Sequence, residues 1–164
     1  MDIRALDTLD EAAARELVST WAQVPRWVDA VVADRPYGSV DELRTHAAGL
    51  AASWTDAEVE AALAHHPRIG ERPTGDDASS AASRHEQASA TRTDEATARA
   101  LRDGNAAYER RFDRVFLVRA AGRTAPEILA ELERRLRNDD ATERAEVAVQ
   151  LLEIALLRME RSLT

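Results

Sequence analysis

Apolar residues recur three and four positions apart along nearly the whole chain, the spacing that places them on one face of an α-helix. Alanine, leucine, glutamate and arginine dominate these stretches, and each of them favours helix. Pro36, Pro67 and Pro73 fall in the gaps between them, as expected for a residue that interrupts a helix interior. The pattern predicts an all-α protein with helices near 8–21, 25–33, 40–52, 56–66, 78–89, 94–111, 124–137 and 141–162.

Local signals refine this prediction. At four predicted helix starts a serine or threonine precedes a glutamate by three residues, which allows reciprocal capping: Thr8 with Glu11, Ser39 with Glu42, Thr55 with Glu58 and Thr124 with Glu127. Polar residues predict a loop at 72–80, while the β-branched and aromatic run in 114–122 is compatible with an extended segment or a buried helix. No repeat or long linker divides the sequence, so we predict one domain over 1–164, a compact bundle of about eight helices.

Charge and hydropathy exclude several classes of partner. The net charge is -8, and no long basic run offers a surface for nucleic acid or anionic lipid. No stretch approaches the roughly 20 apolar residues of a membrane span, and the acidic start "MDIRALDTLDEAAARE" is unlike a signal peptide. We therefore expect a cytoplasmic protein with neither nucleic-acid nor membrane partners.

Two residue types are missing from the chain. It contains no cysteine, which excludes a thiol nucleophile, a disulfide and a thiolate metal site. It also contains no lysine, which excludes Schiff-base chemistry on a side chain, including that of pyridoxal phosphate enzymes. Histidines and carboxylates remain, but no two histidines are spaced as paired helical ligands, so we expect no metal site.

Two basic residues occupy positions at which the helical pattern predicts burial. His66 lies on the apolar stripe of the helix predicted at 56–66, and Pro67 disfavours helix at the residue before it, so His66 should lie at the edge of a loop. Capping of the helix dipole or an ordinary core histidine would explain it equally well. Arg158 lies on the apolar face of the last helix and needs an internal carboxylate, a bound anion or a route to water.

A third polar group lies in "SRHEQAS". If this stretch is helical, Ser83, Glu86 and Gln87 share a face and could contact a small polar ligand, although a solvated helix face is the simpler alternative. In order and spacing, "AHHPRIGERP", "SRHEQAS", "NAAYERRFDRVFLVRAAGRTAPEILAELERRL" and "LLEIALLRM" resemble one family. That family is the 2-oxo-4-hydroxy-4-carboxy-5-ureidoimidazoline (OHCU) decarboxylases, and the resemblance covers nearly the whole chain.

The resemblance implies a cofactor-free carboxy-lyase of urate degradation that converts OHCU to (S)-allantoin and CO2. It implies catalytic roles for His66 as acid/base, Glu86 and Arg158. It also implies substrate contacts from Pro67, Ser83, Gln87 and the backbone of Phe116, Leu117, Val118, Arg119 and Ala120. The chain departs from the family at three positions. Asp113 and Ser89 stand where glycine is usual or common, and Arg119 stands where small residues are usual.

The residue types suit this chemistry. Decarboxylation needs an electron sink, which the conjugated ring of OHCU itself supplies, and a histidine with an ordinary pKa near 6.5 can exchange protons near neutrality. His66, Arg68 and Arg158 could supply local positive charge for the anionic substrate. A homodimer is compatible with this interpretation. The alternatives are a helical binding or regulatory module, or a family member acting on a related ureido-imidazole acid.

Overall fold

A computed structural model of the chain describes residues 1–70, 78–88 and 93–163, without the side chains of 78–80 and 83. Within these ranges the secondary structure is entirely helical, which confirms the predicted all-α class. The helices are α1 (Ile3–Thr8), α2 (Glu11–Ser19), α3 (Pro25–Ala33), α4 (Val40–Ala51), α5 (Asp56–Leu63), α6 (Ala78–Glu86), α7 (Glu95–Phe112), α8 (Ala125–Arg135) and α9 (Asp140–Ser162). None of the helices in the described ranges is long and apolar enough to cross a membrane.

The chain divides into two compact units. The first unit combines an N-terminal and a C-terminal part of the chain, residues 1–62 and 151–164. Here α3 packs against α2 and α4. Aromatic and branched side chains fill the core, and Trp27 donates its indole N–H to the Ala47 carbonyl at 2.9 Å. Arg26 binds both carboxylate oxygens of Glu58, each at 2.9 Å, and so ties α3 to the start of α5.

The second unit comprises residues 63–150. Its core lies between α7 and α8, and these two helices approach closely at Gly104, where an added Cβ would come within 2.6 Å of Leu132 Cδ2. Tyr108, Phe112 and Phe116 stack in this core with ring centroids about 5 Å apart, at 4.8 and 5.2 Å. The prediction of a single domain over 1–164 stays a prediction.

Most predicted helices occur at their expected positions, but the chain's first helix was not predicted. Helix α1 precedes the predicted start at Thr8, whose hydroxyl donates to the Ala5 carbonyl instead of capping a new helix. The N-cap of α2 is Asp10, which accepts a hydrogen bond from the Ala13 N–H at 2.8 Å. The capping prediction for Thr8 and Glu11 is therefore wrong, because aspartate two residues later provides the cap.

Of the other three predicted capping pairs, two are complete and the third forms only the serine half. Thr55 and Thr124 form reciprocal capping boxes with Glu58 and Glu127. Ser39 caps α4, but there the glutamate side chain accepts from the Gly38 N–H instead of the Ser39 N–H. Of the predicted loop at 72–80, residues 72–77 lie outside the described residues, and 78–80 begin α6.

Candidate active site

His66 lies in a turn that follows α5. The helix ends at Leu63, three residues earlier than predicted, and the His66 N–H donates to the Leu63 carbonyl at 2.9 Å. This bond spans three residues instead of four, so it closes a tight turn. The helix does not continue past it, because Pro67 disfavours helix at the residue before it. His65 is exposed and His66 is half-buried, so the two adjacent imidazoles differ in their access to solvent.

The two motifs that surround the predicted site meet directly. Glu86, the last residue of α6, and Gln87 are both buried, 8% and 7% exposed. The Gly70 N–H donates to Gln87 Oε1 at 3.0 Å, and Gln87 Nε2 lies 3.5 Å from the Arg68 carbonyl. The end of α6 is therefore fixed to the loop that carries His66.

Further contacts hold the same loop. Asn105 of α7 donates from Nδ2 to the Ile69 carbonyl at 3.0 Å. Arg68 pairs with Glu109, also of α7, with Nη2 2.9 Å from Oε2, and this bond holds the pKa of Glu109 below its usual value. Since Arg68 has a carboxylate partner, its charge is locally compensated. Sequence reasoning did not single out Asn105 or Glu109.

The predicted binding segment, residues 116–120, has no regular secondary structure, so the extended alternative suits it better than a buried helix. Phe116, Leu117, Val118 and Ala120 are buried, and Arg119 is half-buried. Ile69, from the loop that carries His66, belongs to the same apolar cluster as Phe116 and Val118. The second unit thus brings together the loop at 66–70, the end of α6 and this segment.

A buried ion pair holds the segment from one side. Arg135, the last residue of α8, donates from Nη1 to the Leu117 carbonyl at 2.6 Å and from Nε to Glu143 at 2.9 Å. Both side chains are fully buried, and the guanidinium lies 4.8 Å from the Phe116 ring centroid. Burial, and then the hydrogen bond to Glu143, raise the pKa of Tyr108, so its phenol stays protonated and donates to Glu143.

Sequence reasoning also missed Arg135, although a signal was present. It follows Ala125, Ile128 and Leu132 at helical spacing, and all four are buried. The same helical-wheel argument that selected Arg158 selects Arg135 when it is applied to α8. Gln150 is different, because it falls on the polar arc of its helix, yet its Oε1 accepts from the Arg119 N–H at 2.9 Å.

Arg158 belongs to the first unit and is 7% exposed, as its place on the apolar face predicted. Its Nη1 lies 3.3 Å from the Thr20 carbonyl. The predicted Ser83 lies in α6, but its side chain is outside the description, and Ser89 is outside the described residues.

Among the described side chains, no group of three or more histidines and carboxylates is arranged to hold a metal ion. The chemistry that the second unit offers is a half-buried imidazole, a buried carboxylate and a buried carboxamide beside a backbone segment. Such a set can transfer protons to a small polar ligand and orient it.

Comparison with known proteins identifies the class. The profile of the OHCU decarboxylases matches residues 7–160. The OHCU decarboxylase of Amia calva is 30% identical over 98% of this chain and 93% of its own length. The uric acid degradation bifunctional protein TTL of Arabidopsis thaliana is 34% identical over 61% of this chain, which spans only 32% of that protein.

Two solved structures share the fold. A crystal structure of OHCU decarboxylase in the presence of (S)-allantoin superposes with a TM-score of 0.77 at 22% identity, covering 91% of this chain and 97% of the other. A crystal structure of (S)-allantoin synthase gives 0.73 at 14% identity, covering 98% and 54%. Together with the sequence matches, these define an all-helical carboxy-lyase of urate degradation. The chain belongs to the OHCU decarboxylase family, as its motifs predicted, and a binding or regulatory module is not favoured.

Proposed function

We propose that this chain decarboxylates OHCU to (S)-allantoin and CO2 without a cofactor, and that His66 exchanges the proton. The observation that carries the proposal is the hydrogen bond between the Gly70 N–H and Gln87, 3.0 Å long. It joins the loop after His66 to the end of α6, where Glu86 is buried. An imidazole and a carboxylate on two mutually fixed segments are suited to proton transfer.

The reaction consumes one proton overall, because a carboxylate leaves as neutral CO2. When the bond between ring carbon and carboxylate breaks, CO2 leaves, its bonding electron pair enters the conjugated ring, and the ring nitrogen that receives the charge takes up a proton from solvent. The hydroxyl group then becomes a carbonyl by losing a proton, and the carbon that bears the ureido group gains one. His66 manages these protons, and Glu86 orients the imidazole or binds the substrate's hydroxyl group.

The remaining predicted residues bind and orient. We propose that Gln87, Ser83, Pro67 and the backbone of 116–120 fix the ring, so that protonation reaches one face and yields one enantiomer. In this structure the Gln87 carboxamide also clamps the loop, a second task for the same side chain. For Arg158 we propose the role implied by the family resemblance, holding an anionic group of the substrate, since its buried guanidinium carries a positive charge and can bind a carboxylate through two N–H groups.

Circular dichroism at the ureido-imidazole absorption tests this proposal. Freshly generated OHCU should give the (S)-allantoin signal rapidly with the protein, whereas its slow decay without the protein should give racemic allantoin, which has no net circular dichroism. The rate should follow a group that titrates between about pH 6 and 8, since an acid/base histidine carries the proton. Decay at the rate of the blank would leave a family member acting on a related ureido-imidazole acid, for which Arg119 is the residue to examine.

Two finer predictions concern the setting of the enzyme. A homodimer and a cytoplasmic location are proposed from the family resemblance and the acidic composition, with a net charge of -8. Sedimentation equilibrium should give twice the chain mass of 18.1 kDa if the dimer exists, and cell fractionation tests the location. A monomer would remove the first proposal without affecting the chemistry.

A further inference from the structure

Segment 116–120 is held by two side chains that the proposed reaction does not use. Arg135 donates to the Leu117 carbonyl at 2.6 Å, and Gln150 accepts from the Arg119 N–H at 2.9 Å. These two backbone groups belong to the successive peptide units on either side of Val118. Each of these two peptide units is therefore hydrogen-bonded through one of its two polar groups.

The other ends of these units point the opposite way. In a trans peptide the C=O and N–H are antiparallel, and the only cis bond found in the described residues is Arg35–Pro36. The N–H of Val118 therefore points away from Arg135, and the C=O of Val118 points away from Gln150. Together the two contacts orient a donor and an acceptor on the same residue.

The two side chains that hold the segment, Arg135 and Gln150, come from α8 and α9, which are joined by ion pairs. Glu143, Glu146 and Gln150 follow one another at helical spacing on α9, so they share a face. Glu143 binds Arg135, and Glu146 binds the neighbouring Arg134 of α8. Both contacts to the segment thus come from a surface formed by the end of α8 and the first half of α9, which are held together by these ion pairs.

Val118 itself lacks the bonds that a buried residue normally makes. It is 5% exposed, and neither of its backbone groups has a hydrogen-bond partner among the described residues. Buried backbone groups are nearly always paired, so an unpaired donor and acceptor on one buried residue point to a ligand. The segment is preorganised for a partner with adjacent donor and acceptor groups.

We propose that Gln150 and Arg135 are positioning residues that aim the Val118 N–H and C=O at a ureide-type ligand carrying both an N–H and a C=O. The inference rests on the proposed function, since it assigns these backbone groups to the substrate of that reaction. Gln150 is the better subject for a test. Its side chain is half-buried, whereas Arg135 is fully buried and paired with Glu143.

The test compares two substitutions at one position. Gln150→Met removes the acceptor with little change in size, and Gln150→Glu keeps an acceptor oxygen. Gln150→Met should raise the KM for OHCU and the Kd for (S)-allantoin about tenfold, with kcat within about threefold, because one orienting hydrogen bond is lost. Gln150→Glu should restore (S)-allantoin binding to within about threefold of wild type; this ligand is neutral, so the added charge matters least.

Three controls make the outcome decisive. Val149→Ala, an exposed neighbour at 54% exposure, should change neither constant. Unfolding midpoints separate positioning from a merely structural role, which would lower the midpoint of Gln150→Met and leave KM unchanged; Gln150→Ala serves as a second variant without the acceptor. Unchanged KM and Kd in a folded Gln150→Met, or loss that Gln150→Glu fails to restore, overturns the inference. A wild-type protein that does not turn over OHCU overturns the proposed function instead.

Discussion

Asp113 ends α7 in the left-handed backbone conformation, with φ 53° and ψ 35°. Few residues other than glycine adopt this conformation readily, and aspartate is one of the exceptions. This is the position where the family usually carries glycine, so the departure noted in the sequence has a backbone explanation. Aspartate also places a negative charge at the carbonyl end of the helix, where the helix dipole disfavours it.

Asp113→Gly should therefore stabilise the protein by roughly 0.5–1 kcal/mol, since glycine removes both the conformational cost and the charge. The free energy of unfolding in urea measures this change. Asp103→Gly is the matched control: its site is exposed within the same helix, where glycine should destabilise by about 0.3 kcal/mol because aspartate is already a poor helix former. A lower stability for Asp113→Gly would contradict the explanation.

At this scale, some side chains were predictable and others were not. Arg158 was found because a lone charge on an apolar helical face is visible in the sequence, and it is indeed buried. Gln150 was not, because its position on a polar face is typical of a solvated residue. Only the fold brings the Arg119 N–H to it, from a segment 31 residues away.

The two ends of helix α5 are fixed in different ways. At its start, Glu58 accepts hydrogen bonds from Arg26 and from the Thr55 N–H, and these lower its pKa from 4.5 to about 2. At its other end, Pro67 predicted a stop near His66, but the turn closes earlier, at Leu63. Sequence marks the start more sharply, because capping side chains are local while the exit depends on packing.

Acid titration tests the role of Glu58. Its pKa is depressed in the folded state, so the stability it contributes is present above about pH 4.5 and is lost as the pH falls towards 2. Glu58→Gln should be less stable than wild type at pH 7 and should lose less stability between pH 4.5 and 2. Arg26→Met should flatten the same region, because it removes the main cause of the shift. An unaltered pH dependence in both variants would rule out this assignment.

Element existence was more predictable than element boundaries. Long, strongly periodic helices such as α3, α4 and α9 occur within a residue or two of their predicted limits. Helix α1 was missed because it has only six residues and no side-chain cap, so its signal in the sequence is weak. Short helices of this kind depend on packing, which here buries Leu6 completely.

The buried group of Tyr108, Arg135 and Glu143 is a contact set that no single helix explains. Asn138 donates to the second carboxylate oxygen of Glu143 at 2.9 Å, so this carboxylate is bonded on both oxygens. The group links α7, α8, the start of α9 and segment 116–120. It cannot be predicted from one helix alone, since its members come from three.

Glu143→Gln should destabilise the protein by about 3–5 kcal/mol, because it leaves the Arg135 charge buried without its counter-charge. Equilibrium unfolding in urea measures the loss. The double variant Arg135→Met, Glu143→Leu should recover most of that stability, since it removes both charges and keeps the volume filled. A cost below about 1 kcal/mol for Glu143→Gln would mean that the pair is not the central tie of this unit.

The most direct test of the central claim compares two adjacent histidines. His66→Asn should lower the rate of (S)-allantoin formation from OHCU, followed by circular dichroism, by at least about 100-fold, because it removes the proton-transfer group. His65→Asn, at the exposed neighbour, should keep a rate within about twofold of wild type, where surface changes have little effect. A folded His66→Asn variant that turns over OHCU as fast as His65→Asn would contradict the assignment of His66 as the acid/base.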